Sequence, residues 1–430
     1  MLKHTLFMAL STALRLLTGV VIFIVMARIW GPEKFGSFMY LFTATSLIAL
    51  IVDYGFGQQL MRDIGYDKAK TRELIAGVMT AKLMLTAGMI IVFGLVTLTP
   101  WGQQQPLILF WILLLTCIAS SFADTFNAVF RGLGQYKEET HIALWVNLVH
   151  FGFVFGLLAL GRGVIEVALG FLISRILFLF LTLRTYDRLV PHNGNTQPKT
   201  LTHGIKKLRV GFPFAAEAAF TNFQSQADTL IVHHFLGAGA VGVYQAGLRL
   251  MQGANTFAQV LSNVYLPAMA SKINDKAGLK LLANRLLLQM LLVGSGFMLI
   301  FVVGAQVITH TLYGQRYEEL IGLMPWFGVL LLVRYVAASH GVTLSAVGLQ
   351  STRVAAIATA LVALFAAAYF LVPRLELLGM LYASIFAIVC LYIVYALTLA
   401  GRGFPLGINP LNAATLAIVI GATTFMTTGY

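Results

Sequence analysis

Twelve runs of 17 to 30 mostly apolar residues, each ended by a short polar turn, dominate this chain. Segments of that length and polarity suit a bilayer, where each one must satisfy its own backbone hydrogen bonds as a helix. The runs are 6–29, 38–54, 75–98, 107–130, 142–160 and 164–183, then 212–236, 241–270, 281–307, 320–347, 354–372 and 377–399. The first is too long for a signal-peptide core and lacks a small-residue cleavage site, so it is expected to be retained. Hydrophobic residues are 59% of the 430 and charged residues 10%, which excludes an ordinary soluble enzyme and indicates an all-α polytopic membrane protein. A further run, 411–426, is short and rich in threonine. It is expected to form a thirteenth span, a re-entrant piece or an interfacial tail.

The formal net charge of +13 raises the question of nucleic acid. The basic residues are scattered through short loops with no DNA- or RNA-binding motif, so membrane topology accounts for them better. With a cytoplasmic N-terminus, the cytoplasmic segments hold nineteen Lys and Arg residues, among them Arg62, Arg131, Lys137, Arg188, Lys272 and Arg353. The opposite face holds five: Arg28, Lys34, Arg162, Arg316 and Arg374. That imbalance predicts the N-terminus inside. The two cysteines, Cys117 and Cys390, lie in apolar runs and predict neither a disulfide framework nor a metal site. The sequence carries no H-E-x-x-H motif and no phosphate-binding G-x-x-x-x-G-K-[ST] loop, so energy has to come from an ion or substrate gradient.

The longest polar connection, 186–207, contains Pro191, Asn193, Gly194, Asn195 and Pro198 and separates two groups of six runs. The expected organisation is an N-lobe at 1–185, a cytoplasmic linker at 186–207, a C-lobe at 208–400 and an extra apolar segment at 401–430. The halves echo one another. Gly31 and Gly36 follow the first run of one half, and Gly237 and Gly242 follow the first run of the other at a constant offset of 206. Gly134 and Gly348 form a weaker pair after the fourth runs. An even number of spans per half makes the repeats parallel, a secondary-transporter architecture with the substrate site between lobes.

Two runs carry polar stripes. Glu217, Thr221, Gln224 and Asp228 recur at spacings of 4, 3 and 4, and so share a helix face. Gln245, Arg249, Gln252, Thr256, Gln259 and Asn263 continue the spacing after the glycine turn. Such stripes line a water-filled cavity or join helices by hydrogen bonds; their length favours the cavity.

The pattern Arg28-x-x-Gly31-Pro32-Glu33-x-Phe35-Gly36, with Asp53, Gln58, Gln59 and Met61-Arg62-Asp63 closing the second run, resembles the polysaccharide flippases. The second half adds Gly211-Phe212-Pro213-Phe214, Ala227-Asp228, Leu236-Gly237, Val241-Gly242-Val243-Tyr244 and Arg249-Leu250. Together these resemble the Wzx-type O-antigen and polysaccharide-repeat exporters of the multidrug/oligosaccharidyl-lipid/polysaccharide (MOP) superfamily. The resemblance implies two six-helix lobes in a V shape, alternating access, and translocation of an undecaprenyl-diphosphate-linked oligosaccharide across the bacterial inner membrane. It also implies H+ or Na+ as coupling ion, with a polysaccharide polymerase or chain-length regulator as partner. A monomer is expected, because two pseudo-symmetric lobes already complete a pathway.

A diphosphate moving through a low-dielectric bundle needs fixed cations, and guanidinium grips phosphate in bidentate fashion. Arg249, on the polar stripe, is the first candidate; Arg15, with Ser11 and Thr18 on its face, and Arg334 follow. Gln245 and Gln252 join them as substrate-binding residues. Lys82 and Arg175 are expected to snorkel from span ends. Asp228, Glu217 and Asp124 are the candidate ion-coupling carboxylates, although Asp124 is also placed to pair with Asn127 and Arg131. An internal ion pair holding the bundle competes with each role. Two other functions stand beside the flippase: a drug or metabolite exporter, which would want a more acidic pocket, and a membrane glycan polymerase. The short outer loops and the lack of a catalytic constellation weigh against the polymerase.

Overall fold

The computed structural model describes the backbone of residues 2–100, 106–190 and 201–403. Within those segments it describes side chains from residue 19 onward, except at 201–207, 209, 210, 213, 214, 216 and 217. The apolar run 411–426 and residues 191–200 of the long connection lie outside the described residues. The described chain is built from helices, with no strand among them. They are α1 (Leu2–Asp53), α2 (Phe56–Tyr66), α3 (Thr71–Val96), α4 (Leu107–Leu133), α5 (Tyr136–Ala159) and α6 (Val164–Leu189). These are followed by α7 (Leu201–Ala270), α8 (Lys276–Val303), α9 (Ala305–Leu312), α10 (Glu318–Ala346) and α11 (Gln350–Gly401).

Three of these are too long for one crossing. Helices of 52, 70 and 52 residues would reach about 80, 105 and 80 Å, against a hydrocarbon core of about 30 Å. Each is broken once: α1 at Gly31 (φ 76°, ψ 174°), α7 at Gly237 (φ 83°, ψ −172°) and α11 at Glu376 (φ 50°, ψ −129°). The breaks fall where the sequence places turns between its first and second, seventh and eighth, and eleventh and twelfth runs. Eight helical stretches among the described residues are long and apolar enough to cross a membrane, and two of them, Gly19–Tyr66 and Gln350–Gly401, contain such a break. Exposed apolar residues such as Ile91, Leu95, Val303, Val362 and Leu397 fit a lipid-facing surface.

The chain divides into two compact units. Unit 1 comprises Met1–Ile22 and Phe38–Gln226, and unit 2 comprises Phe23–Ser37 and Ala227–Tyr430. In unit 1, Phe56, Leu60 and Ile64 of α2 pack with Ile75 and Val78 of α3, Phe126, Val129 and Phe130 of α4, Val146 of α5 and Phe178 of α6. In unit 2, Leu287, Leu291 and Met298 of α8 pack with Val329, Leu332 and Val336 of α10. Glycines bring those two helices close: a Cβ on Gly294 would sit 2.9 Å from Leu332 Cδ1, and one on Gly328 would sit 3.1 Å from Met298 Cα.

Unit 2 also gathers the turns of both repeats. Gly31 and Gly237 share a backbone conformation that only glycine adopts without strain. The second glycine of each motif is needed for a different reason. A Cβ on Gly36 would lie 1.8 Å from Ala238 O, and a Cβ on Gly242 would lie 2.0 Å from Pro32 O. The contact is reciprocal, since Pro32 and Ala238 are themselves 206 residues apart. Tyr317 Oη donates to Ala27 O at 3.1 Å and Arg28 donates to Thr311 O, tying the end of the first run to the segment between α8 and α10.

Candidate functional site

Arg249 lies in α7, twelve residues beyond the Gly237 break. Its guanidinium carbon stacks 4.0 Å from the centre of the Phe23 ring, and Nη1 donates to Gln252 Oε1 at 2.7 Å. Tyr313, fully buried nearby, is fixed by donating to Ala246 O at 2.9 Å. An aromatic face and a neutral amide thus hold the guanidinium in place without a carboxylate in either of these two contacts. Gln252 is exposed beside it.

Asp228, the other prominent charge of α7, is buried. One carboxylate oxygen accepts the Thr229 backbone N–H at 2.8 Å, and the other accepts Tyr244 Oη–H at 3.2 Å. Tyr244 Oη lies 3.5 Å from Ser384 Oγ of α11, and Gln245 Nε2 donates to Thr229 Oγ1 at 2.7 Å. Arg334 of α10, half-buried, acts on both Asp228 and Tyr244 through its charge. The stripe read from the sequence therefore divides. Gln245 is buried in the Asp228 network, whereas Arg249 and Gln252 form a separate group around Phe23.

In unit 1, Asp124 is exposed on α4 and accepts Asn127 Nδ2 at 3.4 Å. Arg131, expected beside it, pairs instead with Glu139 at 3.1 Å. The side chains of Arg15 and Glu217, candidates for substrate and ion respectively, lie outside the described residues. Lys82 corrects its expectation: it does not snorkel but is completely buried, donating to Ser121 O and Thr125 Oγ1. The reason is that α3 begins at Thr71, one turn before the apolar run, which moves Lys82 from near a helix end to near its middle. His150 and His340 are buried packing residues, hydrogen-bonded to Ser174 Oγ and to Ser339 Oγ and Val336 O. Among the described residues no group of three or more His, Cys, Asp or Glu could hold a metal ion.

Sequence reasoning missed Phe23, Tyr244 and Ser384. Phe23 and Ser384 lie 226 and 156 residues from the charges they serve. Tyr244 carried a signal, one residue before the Gln245 stripe and sixteen after Asp228.

A family model described as a polysaccharide biosynthesis protein matches residues 25–322, more than half of the chain. The amylovoran biosynthesis protein AmsL of Erwinia amylovora is 30% identical over 127 residues, 29% of this chain. The match spans 33% of that relative's length. Among solved structures, the lipid II flippase MurJ in an inward closed conformation is similar with a TM-score of 0.72 at 14% identity, covering 98% of this chain and 97% of that one. An inward-facing multidrug resistance MATE transporter of the MOP superfamily is similar with a TM-score of 0.67 at 17% identity, covering 91% and 95%. The eukaryotic MATE transporter AtDTX14 gives 0.60 at 10% identity, covering 97% and 99%. At these identities the structures carry the fold, and the fold agrees with the resemblance read from the two glycine motifs. The chain is a multi-pass membrane protein with the MOP-superfamily fold, and it belongs to the polysaccharide biosynthesis protein family.

Proposed function

We propose that this protein is a flippase that moves an undecaprenyl-diphosphate-linked oligosaccharide, an O-antigen or polysaccharide repeat unit, across the bacterial inner membrane. The observation that carries this reading is the family match over residues 25–322 on a fold shared with the lipid II flippase MurJ. Arg249 supports the substrate class. Its stacked guanidinium and the neighbouring Gln252 offer the donors a diphosphate needs inside an apolar bundle. Asp228, in its network of Tyr244, Thr229 and Arg334, is the coupling carboxylate, loading H+ or Na+ during alternating access. The nineteen-to-five bias of basic residues places the N-terminus in the cytoplasm. A polymerase or chain-length regulator receives the product on the far side.

The test is transbilayer movement of a lipid-linked oligosaccharide in proteoliposomes, comparing wild type with Arg249→Ala. Wild type transports, and the folded variant loses about tenfold or more in rate, as expected for one charge-assisted phosphate contact of about 1.5–3 kcal/mol. Undiminished transport in the variant removes Arg249 from the path and leaves the function standing. Movement of a small cationic drug, with no lipid-linked glycan moved under any ion gradient, replaces the flippase with an exporter.

A further inference from the structure

Lys82 is a buried charge with no part in the transport reading above. Its side chain is 0% exposed, and its ammonium sits in a shell of three oxygens from two helices. Ser121 O and Thr125 Oγ1 of α4 each accept at 2.6 Å, and Asp53 Oδ1, at the end of α1, lies 3.8 Å away. Ser121 Oγ donates to the same Asp53 oxygen at 3.2 Å, joining the carboxylate to the shell. The Phe122 ring lies 5.2 Å from Nζ, and the Asp124 charge adds to the negative field. The chain is broken beside this point: Tyr54 (φ 46°) and Gly55 (φ 66°) both take left-handed backbone between α1 and α2.

A simple structural ion pair would put the shortest contacts between ammonium and carboxylate. Here they run to a carbonyl and a hydroxyl, while Asp53 stands back and is 39% exposed. Carbonyl, hydroxyl and carboxylate oxygens around a single positive charge make the ligand set of a hard cation. We propose that Asp53, Ser121 and Thr125 form a monovalent-cation seat that the protein fills with its own Lys82 ammonium, so that this cluster binds no exchangeable alkali ion. An alkali ion that drives transport then acts elsewhere in the protein. The proposal concerns cation binding in unit 1 and does not depend on which substrate is moved.

The experiment is thermal unfolding of the full-length protein in detergent, with choline, sodium or propylammonium chloride as the salt. Wild type unfolds at the same temperature in all three. Lys82→Ala empties the seat and unfolds at a lower temperature in choline. Sodium or propylammonium raises it again, by about 2 °C per tenfold rise in cation once the seat is mostly occupied. Lys82→Met fills the space without the charge and shows no cation response. Lys82→Ala with Asp53→Asn also loses the response. Lys82→Ser replaces the alanine variant where that one does not accumulate. A Lys82→Ala protein indifferent to both cations, a Lys82→Met protein that responds equally, or failure of both small variants to accumulate even with propylammonium present overturns the proposal.

Discussion

Phe23 and Arg249 define what single side chains do here. The ring holds the guanidinium by its face, so Arg249→Lys keeps the charge but loses both the flat stacking surface and the bidentate fork. We expect Arg249→Lys to recover only a small part of the transport lost in Arg249→Ala, measured in the same proteoliposomes. Tyr244 makes a different kind of contribution. Tyr244→Phe removes one buried donor from Asp228 and should lower stability by about 1–2 kcal/mol in denaturant unfolding, because the carboxylate keeps the Thr229 N–H. At the membrane surface, the Lys70 ammonium holds the Asp67 carboxyl below its ordinary 3.8, and the Gly278 backbone N–H does the same for Asp275. A carboxyl lowered on folding contributes stability above its unfolded pKa and loses it as pH falls through the lower folded value. Replacing both by Asn should therefore lower the melting temperature near neutrality and flatten its fall below about pH 4, so that variant and wild type come closest at low pH.

At the scale of elements, the paired glycine turns are the most constrained feature. Gly36→Ala and Gly242→Ala each drive a methyl into a backbone carbonyl, Ala238 O or Pro32 O, that no rotamer change can move aside. Each should cost about 3 kcal/mol or more, and the double variant should cost less than the two together, since both disrupt one reciprocal contact. Gly57→Ala, whose Cβ would only touch Ala128 at 3.7 Å, is the control and should be near neutral. Thermal unfolding of the purified variants measures all four. The glycine spacing was legible in the sequence because it repeats at a fixed offset. What it could not state was that the two motifs press on each other, since a repeat is equally compatible with turns that never meet. Helix starts were also only partly legible: the Asp67 cap and the Lys68–Lys70 turn begin α3 before its apolar run, and that one turn decides the fate of Lys82.

For the molecule as a whole, the distribution of basic residues predicts orientation. In a variant lacking Cys117 and Cys390, a cysteine at position 162 should react with a membrane-impermeant maleimide in intact cells, and one at position 137 only after permeabilisation. The reverse pattern would invert the topology. The sequence by itself determined the class of the protein, because apolar runs of bilayer length leave helices as the economical way to satisfy the backbone. It also marked the breaks at Gly31 and Gly237, because only glycine takes their backbone conformation without strain. Only the tertiary structure decided which polar side chains share a site. Helical periodicity placed Gln245, Arg249 and Gln252 on one stripe, yet the packing of Thr229 and Phe23 assigned Gln245 to one network and the other two to another. Contacts between helices far apart in the chain depend on which faces meet, and the pattern along a single helix does not contain that information.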